Sequence, residues 1–78
     1  MTALVINKLH PKKLLHTKWT AIQPVNKEKH FWVLKVIDPA LTGGRIEQVE
    51  IEAVFTHRIQ LIPWTDLLDA KIWKRGWV

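Results

Sequence analysis

The chain has no cysteine, no serine and no tyrosine among its 78 residues. Without cysteine there is no disulfide framework, no thiolate metal site and no thiol nucleophile. Without serine as well, covalent chemistry falls to Thr, Lys or a carboxylate, each needing an activating neighbour. Long apolar runs are missing too. Met1–Ile6 is far too short to span a bilayer and no basic stretch precedes it, so neither a transmembrane helix nor a signal peptide is expected. Glycine is scarce, and Gly43-Gly44 reads as a hairpin turn, not as a phosphate-cradling loop. The expectation is a soluble cytoplasmic protein with no membrane association, no cofactor, no metal and no enzymatic activity.

What is abundant is tryptophan, with five in so short a chain. A buried large aromatic removes ~150–250 Å² from water, roughly 4–6 kcal/mol of gross stabilisation each. A single domain of this size, near the lower limit for folding without disulfides or metal, can therefore build its core from a few such residues. Alternation assigns Trp19, Trp32 and Trp73 to the core and leaves Trp64 and Trp77 undecided.

The net charge of +5 is unevenly spread. Residues 1–30 carry +5, with Lys8, Lys12, Lys13, Lys18, Lys27 and Lys29 against Glu28. Residues 31–69 carry −3, and Lys71, Lys74 and Arg75 bring +3 to residues 70–78. An acidic middle between two basic ends suits either a solvated surface or a phosphate-binding one.

Residues 1–10 have no clear period and read as an N-terminal arm, with residues 11–78 as the domain. Pro11 suits the start of a helical turn that the adjacent Leu14 and Leu15 pin to the body. Thr17–Ile22 alternates as a strand that ends by Pro24, followed by a polar loop over residues 24–29. His30–Ile37 is apolar on both sides. Trp32, Leu34 and Val36 make one unbroken face, while Phe31, Val33 and Ile37 make a second, interrupted by Lys35, that awaits a cover. Asp38–Gly44 is a turn. The next strand turns Val49, Ile51, Ala53 and Phe55 inward and Gln48, Glu50 and Glu52 outward, with a bulge expected near Glu47 because Ile46 has the wrong parity. After a short turn at Thr56-His57-Arg58, Ile59 and Leu61 return to the core and Pro63 ends the strand. Thr65 caps a helical turn through Asp69, Ile72 and Trp73 continue inward, Lys74 and Arg75 fall near the last helical carbonyls, and Gly76 supplies a left-handed stop. The fold class is mainly β: a small antiparallel meander, curling into a half-open SH3-like barrel, with short helical turns at the C-terminus.

Several stretches together resemble a bacterial family of small tryptophan-rich proteins, a domain of unknown function. They are Lys-Lys-Leu-Leu-His-Thr-Lys-Trp-Thr-Ala (12–21), Asn-Lys-Glu-Lys-His-Phe (26–31), Glu-Ala-Val (52–54), Pro-Trp-Thr-Asp-Leu (63–67), and Trp73 with Gly76-Trp77. The resemblance covers residues 12–77 and rests on the combined spacing. It implies a compact bacterial domain and carries no activity, cofactor or catalytic residue with it.

Chemistry-bearing patterns are few. His10, His16, His30 and His57 are scattered, with no pair at ligand spacing on one element. Glu50 and Glu52 share a strand face and form the remote enzymatic alternative, with His57 as a third group, although any solvated antiparallel strand looks the same. The remaining pattern is cations interleaved with aromatics. Lys12, Lys13, Lys18, Lys27, Lys29 and His30 gather around one end of the predicted sheet, and Lys71, Lys74 and Arg75 lie near Trp77. Such pairing suits RNA or a ribonucleoprotein, with cations tracking phosphates and rings stacking on bases. The rival expectation is a protein partner, or a second copy, docking on Phe31, Val33 and Ile37. Because Glu50 and Glu52 repel phosphate, nucleic acid is expected to avoid the hairpin that carries them.

Overall fold

The computed structural model describes residues 9–78, the side chains at 41 and 42 excepted. Most of the expected N-terminal arm therefore lies outside the described residues. Five antiparallel strands form one sheet: β1 (Lys18–Val25), β2 (Glu28–Val36), β3 (Gln48–Ala53), β4 (Ile59–Pro63) and β5 (Trp73–Arg75). Their spatial order is β4-β3-β2-β1-β5. The first four strands are a meander of local hairpins, and the chain then returns to add β5 beside β1. Among the described residues helical structure is limited to 3-10 turns at Pro11–Lys13, Pro39–Thr42 and Trp64–Leu68. The mainly β antiparallel architecture is as expected. Its two outer strands, β4 and β5, are not paired with each other, so the sheet is open, and these pairings do not establish an SH3-like barrel.

The connections follow from their residues. Asn26 and Lys27 both have positive φ (56° and 62°), as a two-residue type I′ hairpin requires. Val25 pairs directly with Glu28, so the polar loop expected over 24–29 shrinks to those two residues. Pro24 lies inside β1 and does not end it. Between the pairs Thr20–His30 and Val25–Glu28, β1 takes five steps and β2 only two, and a proline is tolerated in such a bulged segment. In the β2–β3 connection, Asp38 accepts a 2.8 Å hydrogen bond from the Ala40 amide, and Gly43 turns the chain in the left-handed region at φ 76°.

Residues opposite each other in the ladder share a face, and this sorts the two sides of the sheet. Trp19 faces Phe31, Phe31 faces Ala53, and Val33 faces Ile51. These five side chains, with Leu14, Val49 and Leu67, are the buried core. The side of β2 expected to await a partner is thus the core side, and Phe31 and Val33 are unavailable for docking. Trp32 lies on the other side. Its face is set by pairing with Glu52 and Lys18, and a bulge follows at Leu34: β2 takes two steps from Val33 to Lys35 while β3 takes one from Ile51 to Glu50. Parity switches there, and Val36 rejoins the core opposite Val49. The irregularity sits in β2 and not near Glu47. Ile46 precedes β3, so its parity carries no constraint.

Four further expectations fail. Ile59 and Leu61 pair with Glu52 and Glu50, face outward and are half exposed, while Ile62, opposite Val49, packs on the core. β3 ends at Ala53, which leaves Phe55 in the turn and not in line with the core. The segment after Pro63 is a 3-10 turn without a side-chain cap. Trp73, Lys74 and Arg75 are extended in β5, where the open edge of β1 pairs with their backbone. Gly76 is left-handed as expected (φ 87°), but it ends a strand.

The core side is covered by the first and last 3-10 turns. Leu14 is buried there and Leu67 fully so, while Leu15 stays exposed. Trp73 meets Phe31 edge-on, with centroids 5.1 Å apart at 87°, a favourable arrangement for two aromatic quadrupoles.

Candidate functional site

The outer face of β1 and β2 is where the polar and aromatic side chains converge. Lys18 lies opposite Trp32, and Thr20 lies opposite both His30 and Lys74, so all five side chains share that face. Residues 76–78 fold across it as a strap. The Gly76 amide donates to the Lys18 carbonyl at 2.7 Å, and the Thr20 hydroxyl donates to the Gly76 carbonyl at 2.6 Å. The Trp77 indole N–H donates to the Phe31 carbonyl at 2.8 Å, and His30 Nε2 lies 2.8 Å from the Val78 carbonyl oxygen. These bonds hold an indole that remains 43% exposed. The Lys18 ammonium sits 4.7 Å from its ring centroid, a cation–π contact.

Trp32 is held from both sides. The His16 ring stacks on it (5.4 Å, 25°), and its indole N–H donates to Glu52 Oε1 at 2.7 Å. The other Glu52 oxygen lies 3.4 Å from His57 Nδ1, which completes an ion pair when His57 is protonated. Trp32, Trp77, Val54, Glu52 and His57 line an open slot of about 230 Å³. That is below the usual size of a drug-like pocket and suits one flat ring system. Because Glu52 already accepts from Trp32, the slot offers mainly ring faces.

Two further depressions lie beside the slot. One is lined by His16, Thr17, Lys18, Arg75 and Gly76. The other is lined by Lys27, Lys29, His30, Val54 and Phe55. Val54 is common to the second depression and the slot, and Lys18 joins the first to Trp77. Five of the nine cations and histidines named from sequence therefore border one outer-face track or share its face: Lys18, Lys74, His30, Lys27 and Lys29. Arg75 lines the first depression from the edge strand β5, although in the ladder it lies opposite Trp19. Lys12 and Lys13, on the first 3-10 turn, and Lys71, in the turn before β5, line none of the three depressions. The cations do not cluster at one end of the sheet as expected. Lys18 begins β1, while Lys27 lies in the β1–β2 turn at its other end and Lys29 just after it. Along β2 the separation from Trp32 to Glu28 is four residues, roughly 13 Å.

The β3–β4 turn beside this track is clamped from below. Glu28, 3% exposed, receives the Arg58 guanidinium in a fork, with Nη2 to Oε1 at 2.6 Å and Nε to Oε2 at 3.0 Å. The Thr56 hydroxyl donates to the same carboxylate. The hydrogen bonds from Arg58 and then Thr56 hold the Glu28 carboxyl below the ordinary carboxylate range, and Glu28 in turn raises Arg58. The turn itself closes through His57 N–H to the Ala53 carbonyl (2.8 Å), with His57 left-handed at φ 61°.

Glu50 and Glu52 do project from one face of β3, as expected. Glu50 lies opposite Lys35 in the ladder, and Glu52 is engaged by Trp32 and His57. Among the described residues no group of three or more His, Asp or Glu side chains is placed to hold a metal ion. Sequence reasoning placed Trp32 and Phe55 in the core and left Trp77 undecided beside Lys71, Lys74 and Arg75. The signal for the two tryptophans was their excess over what one small core needs, and nothing in the sequence marked Phe55.

The family model described as tryptophan-rich protein (DUF2389) matches residues 17–78. No curated protein and no solved structure matches the chain. The chain belongs to this tryptophan-rich family of unknown function.

Proposed function

We propose that this member of the tryptophan-rich family is a non-enzymatic module that binds single-stranded RNA on the outer face of its sheet, in the cytoplasm. The observation that carries the reading is the slot lined by Trp32 and Trp77, with Lys18 and Arg75 on one flank and Lys27 and Lys29 on the other. Bases stack on indole faces without regard to sequence, and lysines track the phosphates. An open sheet face carrying exposed rings suits unstacked bases better than a duplex, whose bases are already stacked. The path departs from the sequence expectation in one respect, because Glu52, Val54 and His57 of the β3–β4 hairpin form part of the slot. The Glu52 charge is tempered there by the Trp32 N–H, and phosphates would run along the lysines and not along β3.

The test is a titration of the full chain with single-stranded RNA and DNA oligonucleotides, followed by tryptophan fluorescence. Quenching is expected, with affinity falling steeply between about 50 mM and 200 mM salt, at a slope near −0.7 per phosphate neutralised. Absence of binding to either polymer at the lowest salt sinks the reading.

A second reading, self-association, is supported by a separate observation. Among the described residues no strand pairs with the outer edge of β4, which presents Ile59 and Leu61, both about half exposed, beside it. Such edges are templates for pairing with another chain. Light scattering across a gel-filtration peak separates the two: a dimer favours this reading, and a monomer removes it.

A further inference from the structure

Phe55 is the most exposed large apolar side chain described, at 72%. An exposed ring adds almost nothing to folding, and on a loose turn it would be an ordinary surface residue. Here the turn is not loose. Its backbone closes through His57 and Arg58 to Ala53, and Thr56 and Arg58 converge on the buried Glu28 carboxylate. The turn is also joined to β2 by the Val54 amide donating to the His30 carbonyl at 2.9 Å. Five hydrogen-bonding groups thus fix the backbone that carries a phenyl ring outside the core. Around it stand Lys27, Lys29 and His30 in a depression of about 250 Å³, separated from the indole slot only by Val54.

We infer that Phe55 is a second base-stacking station, so that a strand of RNA places one base in the Trp32–Trp77 slot, crosses Val54, and stacks a further base on Phe55 while Lys27 and Lys29 hold the intervening phosphates. This rests on the RNA-binding reading and gives the site its minimum length and direction. A single nucleotide reaches one station, and a longer strand reaches both. The arrangement is preorganised, because the turn is held before any ligand arrives and little ordering remains to oppose binding.

The experiment compares wild type, Phe55→Leu and Phe55→Trp against a nucleoside monophosphate and a mixed-sequence single-stranded RNA octanucleotide. Leucine keeps the apolar bulk and removes the ring face; at so exposed a position it leaves the fold intact, checked by circular dichroism. The expected result is a loss of roughly 5- to 150-fold for Phe55→Leu with the octanucleotide, the value of one stacked base. Mononucleotide affinity should be unchanged, and Phe55→Trp should restore or exceed wild-type binding. If Phe55→Leu leaves octanucleotide affinity intact while Trp77→Ala weakens it, the second station is wrong and the RNA reading stands. A loss that tryptophan does not rescue, or an equal loss for the mononucleotide, also overturns it. If wild type binds neither probe, the RNA reading fails and the station fails with it.

Discussion

The two faces of the sheet use tryptophan for different work. On the core face Trp19 is fully buried, its indole N–H satisfied by Thr17 Oγ1 at 2.9 Å, and its surroundings are Phe31, Ala53 and other apolar groups. On the outer face Trp32 and Trp77 also satisfy their N–H groups, on Glu52 and on the Phe31 carbonyl, but leave ring surface open to solvent. In the first case all of the ring's area goes into stability. In the second, hydrogen bonds and stacking hold the ring in place while its faces stay available. All three indole N–H groups are satisfied, so the difference lies in how much ring is left exposed and which side of the ladder carries it.

The sharpest way to break this contrast is Trp19→Ala against Trp77→Ala. Emptying the Trp19 site should cost about 3–5 kcal/mol. For a domain this small that approaches its whole stability, so circular dichroism should report a largely unfolded chain. Trp77→Ala should instead leave a cooperative thermal transition and lower RNA affinity by about 1–3 kcal/mol, read by fluorescence anisotropy with a labelled oligonucleotide. Equal destabilisation by both would erase the distinction between the faces.

Acid probes the clamp beneath the outer-face turn. The folded Glu28 carboxyl titrates below its ordinary value, so between the two values the unfolded chain binds more protons. The contribution of the clamp is therefore complete above the ordinary carboxylate range and is lost as pH falls through the lowered folded value. Denaturant midpoints measured from neutral pH downward should decline in that window, and Glu28→Gln should start lower at neutral pH and flatten the acid limb. An unchanged slope in the variant would remove Glu28 as the source. The smallest effect belongs to Ile59→Thr and Leu61→Thr, expected within about 0.5 kcal/mol of wild type in urea melts because both face outward. A loss of several kcal/mol would restore them to the core.

How much of this was legible beforehand divides along the same line. Alternation in β3 was read correctly, since Val49, Ile51 and Ala53 face a dry layer and Glu50 and Glu52 do not. β2 misled because it is apolar on both sides, and the parity of a strand with Trp32 next to Phe31 and Val33 is decided by its neighbours. The Leu34 bulge adds one residue that no local pattern marks. β4 misled in the same way: Ile59, Leu61 and Ile62 are all apolar, and only the register against β3 selects Ile62. The basic residues were found, but their division between the two ends of β1 depends on how far that strand runs past Pro24. The indole slot was invisible because it joins β2, β3 and residue 77, which meet only in the folded chain.

The return of the chain to β1 also has a kinetic meaning. The hairpins β1–β2, β2–β3 and β3–β4 close over short loops, whereas Trp19–Arg75 and the Thr20–Gly76 hydrogen bond join positions 56 residues apart. Closing a longer loop costs more chain entropy, and contacts of high sequence separation slow folding. The docking of β5 and its strap is therefore the step expected to form late. It is also the step that seats Trp77 beside Trp32. The local hairpins can assemble on their own timescale, but the outer-face slot exists only once the two ends of the domain have met, so recovery of ligand binding on refolding should follow recovery of sheet structure and not accompany it.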